Sequence, residues 1–236
     1  MTERKVVIPG EIIKEGNDFL PGDGTEKQGN NIIALKFGLA EEQDRLVKVI
    51  PLSGVYIPRR GNVVIGRVTN VTFNGWCIDI DTSENSFLPL AEVPRFINKN
   101  ELEKLMDIGD MVVAKIWNIG GRGIDLSINS RGLGKIDEGL IIKVNPHKVP
   151  RIIGKEGSMI NLIKEKTKCE ITVGQNGFIW IQGKKIEEEI LSKNAINFIC
   201  EKSFVSGLTE EVENWFAKNG GEKWKKDWEE HLSPEN

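Results

Sequence analysis

Four residues, Gly154-Lys155-Glu156-Gly157, carry the spacing with the most chemical content in this chain of 236 residues. Glycine at both ends lets the backbone turn tightly and lets another backbone approach with no Cβ in the way. The two residues between them then face outward, and one is a lysine. Amide groups and an ammonium aimed outward suit phosphates, above all the sugar-phosphate backbone of a single nucleic-acid strand. Candidates for catalysis are scarce by comparison. Asp79, Asp81 and Glu84 form a tight acidic cluster, and a strand end followed by a turn explains them. His147 and His231 have no evident partners in sequence and read as surface residues. No catalytic set, metal-ligand set or cofactor motif emerges, and no G-x-x-x-x-G-K-[ST] phosphate loop occurs.

A lone Gly-x-x-Gly usually only turns, so the elements that flank it decide. Residues 140–144 form a short apolar strand, and residues 146–153 suit a helix that delivers Ile152 and Ile153 to the loop. Ser158 can N-cap a second helix running to about residue 166, with Met159, Ile160, Leu162 and Ile163 as its apolar positions. Residues 169–173 and 178–181 read as two strands joined across Gly174-Gln175-Asn176-Gly177, and Asn-Gly is a strong hairpin signal. A third helix covers about residues 185–203, with Ile186, Ile190, Leu191, Ile196 and Ile199 on one stripe. The order β-α-loop-α-β-β-α resembles a eukaryote-type KH domain, whose Gly-x-x-Gly loop clamps the backbone of single-stranded RNA. On that resemblance Gly154, Lys155, Glu156 and Gly157, flanked by Lys148 and Arg151, are the expected RNA contacts.

Charge supports the same location. The whole chain carries a net charge of -3, which argues against a wholesale nucleic-acid binder. Its distribution is uneven. Residues 143–168 hold 7 basic and 2 acidic side chains, whereas residues 206–236 hold 4 and 8. A solvated helix face would also read this way; its coincidence with the loop favours an electrostatic footprint. Cys77, Cys169 and Cys200 are odd in number and widely spaced, which fits reduced thiols in a cytoplasm rather than a disulfide framework or zinc site. No signal peptide is expected, and no apolar stretch approaches the ~18 residues of a membrane span.

Upstream, residues 60–131 read as a five-stranded barrel: residues 62–71, 76–80, 86–90, 111–118 and 123–128, with a polar helical segment at 99–106. The phrase from Gly61 through Phe87-Leu88-Pro89-Leu90 resembles the OB-type RNA-binding barrel first named from ribosomal protein S-one. That resemblance puts Phe73, Trp76 and Phe87 on the nucleic-acid face, where base stacking tolerates any sequence. One or two of the rings are core in the competing reading, with Phe87, beside Leu88-Pro89, the first candidate. Arg122, in the Gly120-Gly121-Arg122-Gly123 turn, is placed to reach a phosphate. Residues 1–55 are short apolar strands separated by Pro-Gly and Gly-Asp-Gly turns, a small all-β module.

An opening Val-Ile-Pro-Gly-Glu, a Pro-Gly-Asp-Gly-Thr turn, an S-one-type barrel and one KH domain together resemble the RNA-binding cap subunit of the archaeal exosome, the ribosomal RNA-processing protein 4 family, over about residues 5–205. The expected fold is multidomain: an all-β module (1–57), an OB-type barrel (58–132), an α+β type I KH domain (133–206) and an amphipathic helical tail (207–236). The resemblance implies a cytoplasmic, non-catalytic subunit without cofactor. It would gather single-stranded, adenine-rich RNA and pass the 3′ end to a hexameric ring of RNase-PH-type subunits that degrade by phosphorolysis. Three cap copies would sit on the ring, alone or mixed with a sister subunit, and the N-terminal module would dock there. The Gly174, Asn176 and Gly177 positions match a G-x-N-G signature held to brace the KH domain against the barrel rather than to touch RNA.

Three other readings compete with that resemblance. The sister cap subunit ends in a zinc ribbon, which needs paired Cys-x-x-Cys that this chain lacks. A NusA-type transcription factor has two KH copies and a helical N-terminal domain. A stand-alone ribonuclease has only the acidic cluster behind it. In the tail, Val212, Trp215, Phe216, Trp224 and Trp228, split by Gly220-Gly221, suggest two short helices packed back on the KH domain.

Overall fold

A computed structural model describes residues 5–94, 102–202 and 207–219. The chain divides into two compact units, Met1–Val55 and Tyr56–Asn236.

The first unit is all β among its described residues. Strands β1 (Lys5–Val7), β6 (Gly38–Gln43), β7 (Leu46–Pro51) and β3 (Leu20–Pro21) form one sheet in that order. Strands β2 (Ile12–Glu15), β5 (Asn31–Ala34) and β4 (Thr25–Gln28) form another. Val7, Ala34, Ala40 and Val49 make a small core with Ile13 against it. The Pro-Gly-Asp-Gly-Thr turn is locked by Thr25, whose hydroxyl accepts from the Gly22 N–H at 2.9 Å and donates to the Val47 carbonyl at 3.0 Å.

The second unit starts with the barrel. Strands β8 (Val63–Thr72), β9 (Gly75–Asp79), β10 (Ser86–Pro89), β11 (Met111–Gly120) and β12 (Gly123–Ser127) close through a β11–β12 pairing. A further strand, β13 (Gly134–Ile136), lies beyond residue 132 yet pairs with β11, which the sequence did not lead us to expect. Of the polar helical segment expected at 99–106, α1 (Leu102–Leu105) is observed and residues 99–101 lie outside the described residues. Inside the barrel Val64, Val68, Trp76, Ile78, Leu88, Ile116 and Leu126 are buried together.

The KH domain follows the expected order. Strand β14 (Leu140–Lys143) and strands β15 (Glu170–Val173) and β16 (Phe178–Gln182) form a sheet with β16 in the centre, all pairs antiparallel. Helices α2 (Val149–Ile153), α3 (Ser158–Thr167) and α4 (Ile186–Glu201) pack on it through Ile152, Ile163, Ile196 and Ile199. Two local expectations change. The first helix is split: residues Pro146–Lys148 make a tight 3₁₀ turn before α2, because Pro150 has no N–H to donate to the Pro146 carbonyl. Ser158 is the first helical residue, at φ -56°, and not the cap; Gly157 holds the cap position without a side-chain hydrogen bond. Helix α5 (Leu208–Asn219) buries Leu208, Val212 and Phe216 in the KH core and stacks Trp215 on Phe198 with centroids 5.8 Å apart. The second tail helix expected around Trp224 and Trp228 lies outside the described residues.

Candidate nucleic-acid interface

The Gly-Lys-Glu-Gly loop joins the C-terminus of α2 to the N-terminus of α3. Gly154 ends α2, its N–H donating to the Pro150 carbonyl at 2.9 Å, and then turns to φ 74°, ψ 176°, a conformation that only glycine takes readily. A Cβ there would lie 2.7 Å from the Met159 amide nitrogen. Gly157 sits at φ 81°. Glu156, at φ 54°, is also left-handed, so the chain turns sharply and sends Lys155 and Glu156 into solvent. No side chain caps α3; its first N–H, that of Ser158, donates to the Lys155 carbonyl, and the helix dipole favours an anion at that end. Glycine geometry, a lysine and a helix N-terminus converge on one surface. That arrangement can hold phosphates.

The flanking cations divide. Arg151 is exposed on α2. Lys148 is half-buried, and its ammonium donates to the Cys200 carbonyl in the last turn of α4 at 2.8 Å. It therefore closes the C-terminal end of that helix, where orphan carbonyls and the dipole both favour a cation. Burial pushes the neighbouring Cys200 thiol up, with Lys148 pulling the other way. Lys143 pairs with Asp81 of the barrel at 2.9 Å.

On the barrel the rings separate. Trp76 is fully buried, and its indole N–H donates to the Met106 carbonyl at 2.9 Å. This corrects the expectation that it lies on the nucleic-acid face: a ring inside the barrel cannot stack on a base. The strand pattern explains the placement, since Trp76 shares its phase with Ile78 and Ile80, both buried, while Cys77 and Asp79 face out. Phe73, in the β8–β9 turn, is 76% exposed. Phe87 is half-buried, its ring tip laid over Gly75, where a Cβ would fall 2.8 Å from Cζ. Arg122 is exposed in the β11–β12 turn. One exposed ring was missed: Trp117 on β11, 44% exposed. Its phase with Lys115 and against Ile116 was the available signal.

Asn176 does different work. Strand β8 pairs with β11 along residues 63–67 but with β9 only from Arg67 onward, so residues 63–66 have no strand on their second edge. The KH turn fills that edge. The Gln175 N–H donates to the Val63 carbonyl at 2.8 Å. The buried Asn176 amide donates to the Ile65 and Ile80 carbonyls at 2.8 and 3.0 Å and accepts from the Ile65 N–H at 3.2 Å. Gly174 admits the turn because a Cβ would lie 2.6 Å from the Asn176 side-chain oxygen, and Gly177, at φ 89°, packs on the Val144 carbonyl. Unpaired strand-edge groups are thus satisfied by another domain, and barrel and KH domain are coupled.

The acidic cluster is structural in geometry. Asp79 accepts from the Asp81 N–H at 2.8 Å, and Asp81 faces Lys143. Among the described residues no group of three or more His, Cys, Asp or Glu side chains could hold a metal ion, and no helix is long and apolar enough to cross a membrane.

Comparison with known proteins bears on the whole chain. Residues 4–53 match the exosome RNA binding protein RRP4 N-terminal domain, residues 55–101 the RRP4 S1 domain, and residues 139–187 a KH domain. The exosome complex component Rrp4 of Methanothermobacter thermautotrophicus is 41% identical over 90% of this chain and 68% of its own. That of Nitrosopumilus maritimus is 39% identical over 92% of this chain and 98% of its own. A crystal structure provisionally described as an exosome complex RNA-binding protein superposes with a TM-score of 0.63 at 32% identity, covering 70% of this chain and 97% of that one. With its three domains matched in order and with relatives at this identity, the chain belongs to the Rrp4 family of exosome complex components.

Proposed function

We propose that this chain is a non-catalytic RNA-binding subunit of a cytoplasmic exosome, which captures single-stranded, adenine-rich RNA and passes its 3′ end to a phosphorolytic ring of RNase-PH-type subunits. The observation that carries the reading is the Gly154–Gly157 loop: left-handed, exposed at Lys155, and leading into the N-terminus of α3. Gly154 and Gly157 permit the close approach, Lys155 and Arg151 meet phosphates, and Glu156 is the second outward residue of the clamp. Lys148 steadies α4 behind it. On the barrel, Phe73 offers a ring to a base and Arg122 a cation to a phosphate, with Phe87 at the margin. Gly174, Asn176 and Gly177 hold the two RNA-binding domains in one body.

The N-terminal module is the part assigned to the ring, within a cap of three subunits of this kind or of this kind mixed with the sister subunit. Its surface offers apolar side chains for such docking: Val6, Ile8, Leu20, Leu35, Phe37 and Leu46 are each more than two-fifths exposed. Equilibrium binding of a labelled oligoadenylate, with the length of the RNA checked after incubation with phosphate and with Mg²⁺, tests the reading. Binding with the RNA intact supports it. Shortening of the RNA by the purified chain alone refutes it.

A further inference from the structure

Trp117 lies where the barrel ladder is interrupted. Ile116 pairs with Leu126 and Asn118 with Asp125, so Trp117 is the extra residue of a β-bulge, released from the pairing on that side. Bulges re-aim side chains, and they concentrate at barrel rims and binding sites. The Asn118 side chain donates to Asp125 at 2.9 Å and ties the two strands together next to the bulge. On the other side of β11 the chain before β8 makes a turn, the Asn62 N–H donating to the Arg59 carbonyl at 3.1 Å, and that turn is hydrogen-bonded to β11. The Gly61 N–H donates to the Ile116 carbonyl at 2.7 Å, and the Ile116 N–H donates to the Asn62 carbonyl at 2.8 Å. Those bonds set the turn that carries Arg59 and Arg60 against the Ile116–Trp117 peptide. Two residues before Trp117, on the same face, is Lys115, and the hairpin ends at Arg122. All four cations are exposed, and among the described residues none of them forms an ion pair. The one carboxylate that the pairing brings into the group is Asp125, already engaged by Asn118.

An exposed tryptophan alone needs no explanation. An indole displayed on a bulge among four unpaired cations has the composition of a single-strand site: a π-face for a base, with charges for the phosphates on either side. We infer that Trp117 is a base-stacking platform of the barrel in addition to Phe73, with Arg59, Arg60, Lys115 and Arg122 contacting the flanking phosphates of single-stranded RNA. This rests on the reading that the chain binds such RNA, and it places a barrel ring in a position other than Trp76.

The test is binding of a fluorescein-labelled oligoadenylate to the full chain, by anisotropy at several salt concentrations, for the wild type, Trp117→Ala, Trp117→Phe and the double variant Arg59→Ala, Arg60→Ala. Trp117→Ala weakens binding by roughly five- to a hundredfold with an unchanged salt slope, because stacking releases no counterions. Trp117→Phe recovers most of the loss. The arginine pair lowers the salt slope by about 0.7 for each phosphate contact removed. Should Trp117→Ala unfold, tryptophan emission decides: RNA quenches the wild type, and Trp117→Phe loses that quench. Wild-type affinity in Trp117→Ala together with an unaltered quench in Trp117→Phe overturns the inference and leaves the proposed function standing. Normal RNA affinity with weakened assembly onto ring subunits makes this face a protein interface and also overturns it. A wild-type chain that binds no RNA removes the functional reading itself.

Discussion

Replacing Asn176 by alanine removes the side chain that ties the KH domain to the barrel, and the structure sets the size of the effect. Three buried backbone atoms lose their partner: the Ile65 N–H, the Ile65 carbonyl and the Ile80 carbonyl. Each unsatisfied group costs about 1–3 kcal/mol. The space left by the amide admits water, which can satisfy one or two of them, so a total of about 3 kcal/mol is expected. Urea unfolding followed by tryptophan emission measures it. The far larger effect is on coupling: with its edge uncovered, β8 and the KH turn separate at lower denaturant, and amides near Val63–Ile65 exchange faster than those of the barrel interior. Asn176→Asp is worse at neutral pH, since it turns two donors into a charge facing two carbonyls, and part of its loss returns as the carboxyl protonates in acid. A variant Asn176→Ala within about 0.5 kcal/mol of the wild type, with unchanged exchange at residues 63–66, would refute the reasoning.

Other outcomes follow from single contacts. Trp76→Ala empties the barrel core and costs about 3–5 kcal/mol, so any loss of RNA binding appears with loss of the folded state in circular dichroism and not as a selective affinity change. Gly154→Ala forces a Cβ onto Met159 at a left-handed φ; it lowers thermal stability by an amount equivalent to about 1–3 kcal/mol and weakens RNA binding with it. Asp110 is held below the ordinary carboxylate range, first by the hydrogen bond from the Lys135 ammonium and next by the Asp107 N–H. A depressed carboxyl stabilises the fold above its unfolded value, near ~4, and loses that contribution as pH falls through its folded value. The stability gap between the wild type and Asp110→Asn, measured by urea titration, is therefore present at pH 7 and closes as the pH drops below about 4.

What the sequence disclosed was local. Asn176-Gly177 between two β-branched runs announced the hairpin, and glycines at 154 and 157 announced the loop, because turn chemistry is written in adjacent residues. The S1-type barrel was legible from its short strands and Gly-Asp and Asn-Gly corners. Less legible was which face of a strand a ring occupies. Trp76 follows Phe73-Asn74-Gly75 and was read as part of an aromatic surface. Its phase with Ile78 and Ile80 outweighs that grouping once β9 curls into a closed barrel. The bulge at Trp117 has no signature in β11 itself, since it arises from the register with β12. Lys148 shows the limit of charge counting: its basic neighbourhood suggested RNA, while its ammonium is committed to a carbonyl 52 residues away. The edge of β8 that Asn176 covers depends on which strands do not pair there, which adjacent residues do not encode.

The central claim is that the chain captures RNA for another subunit to degrade. Its most direct test is the rate at which a reconstituted RNase-PH-type ring shortens a 5′-labelled, adenine-rich single strand in phosphate, measured alone, with the wild-type chain and with Lys155→Glu. The account predicts that the wild-type chain degrades nothing by itself but accelerates the ring. Lys155→Glu should still join the ring yet accelerate it less, with the deficit shrinking as salt screens the clamp. Equal ring activity with and without the wild-type chain, or RNA shortened by the chain alone, would contradict it.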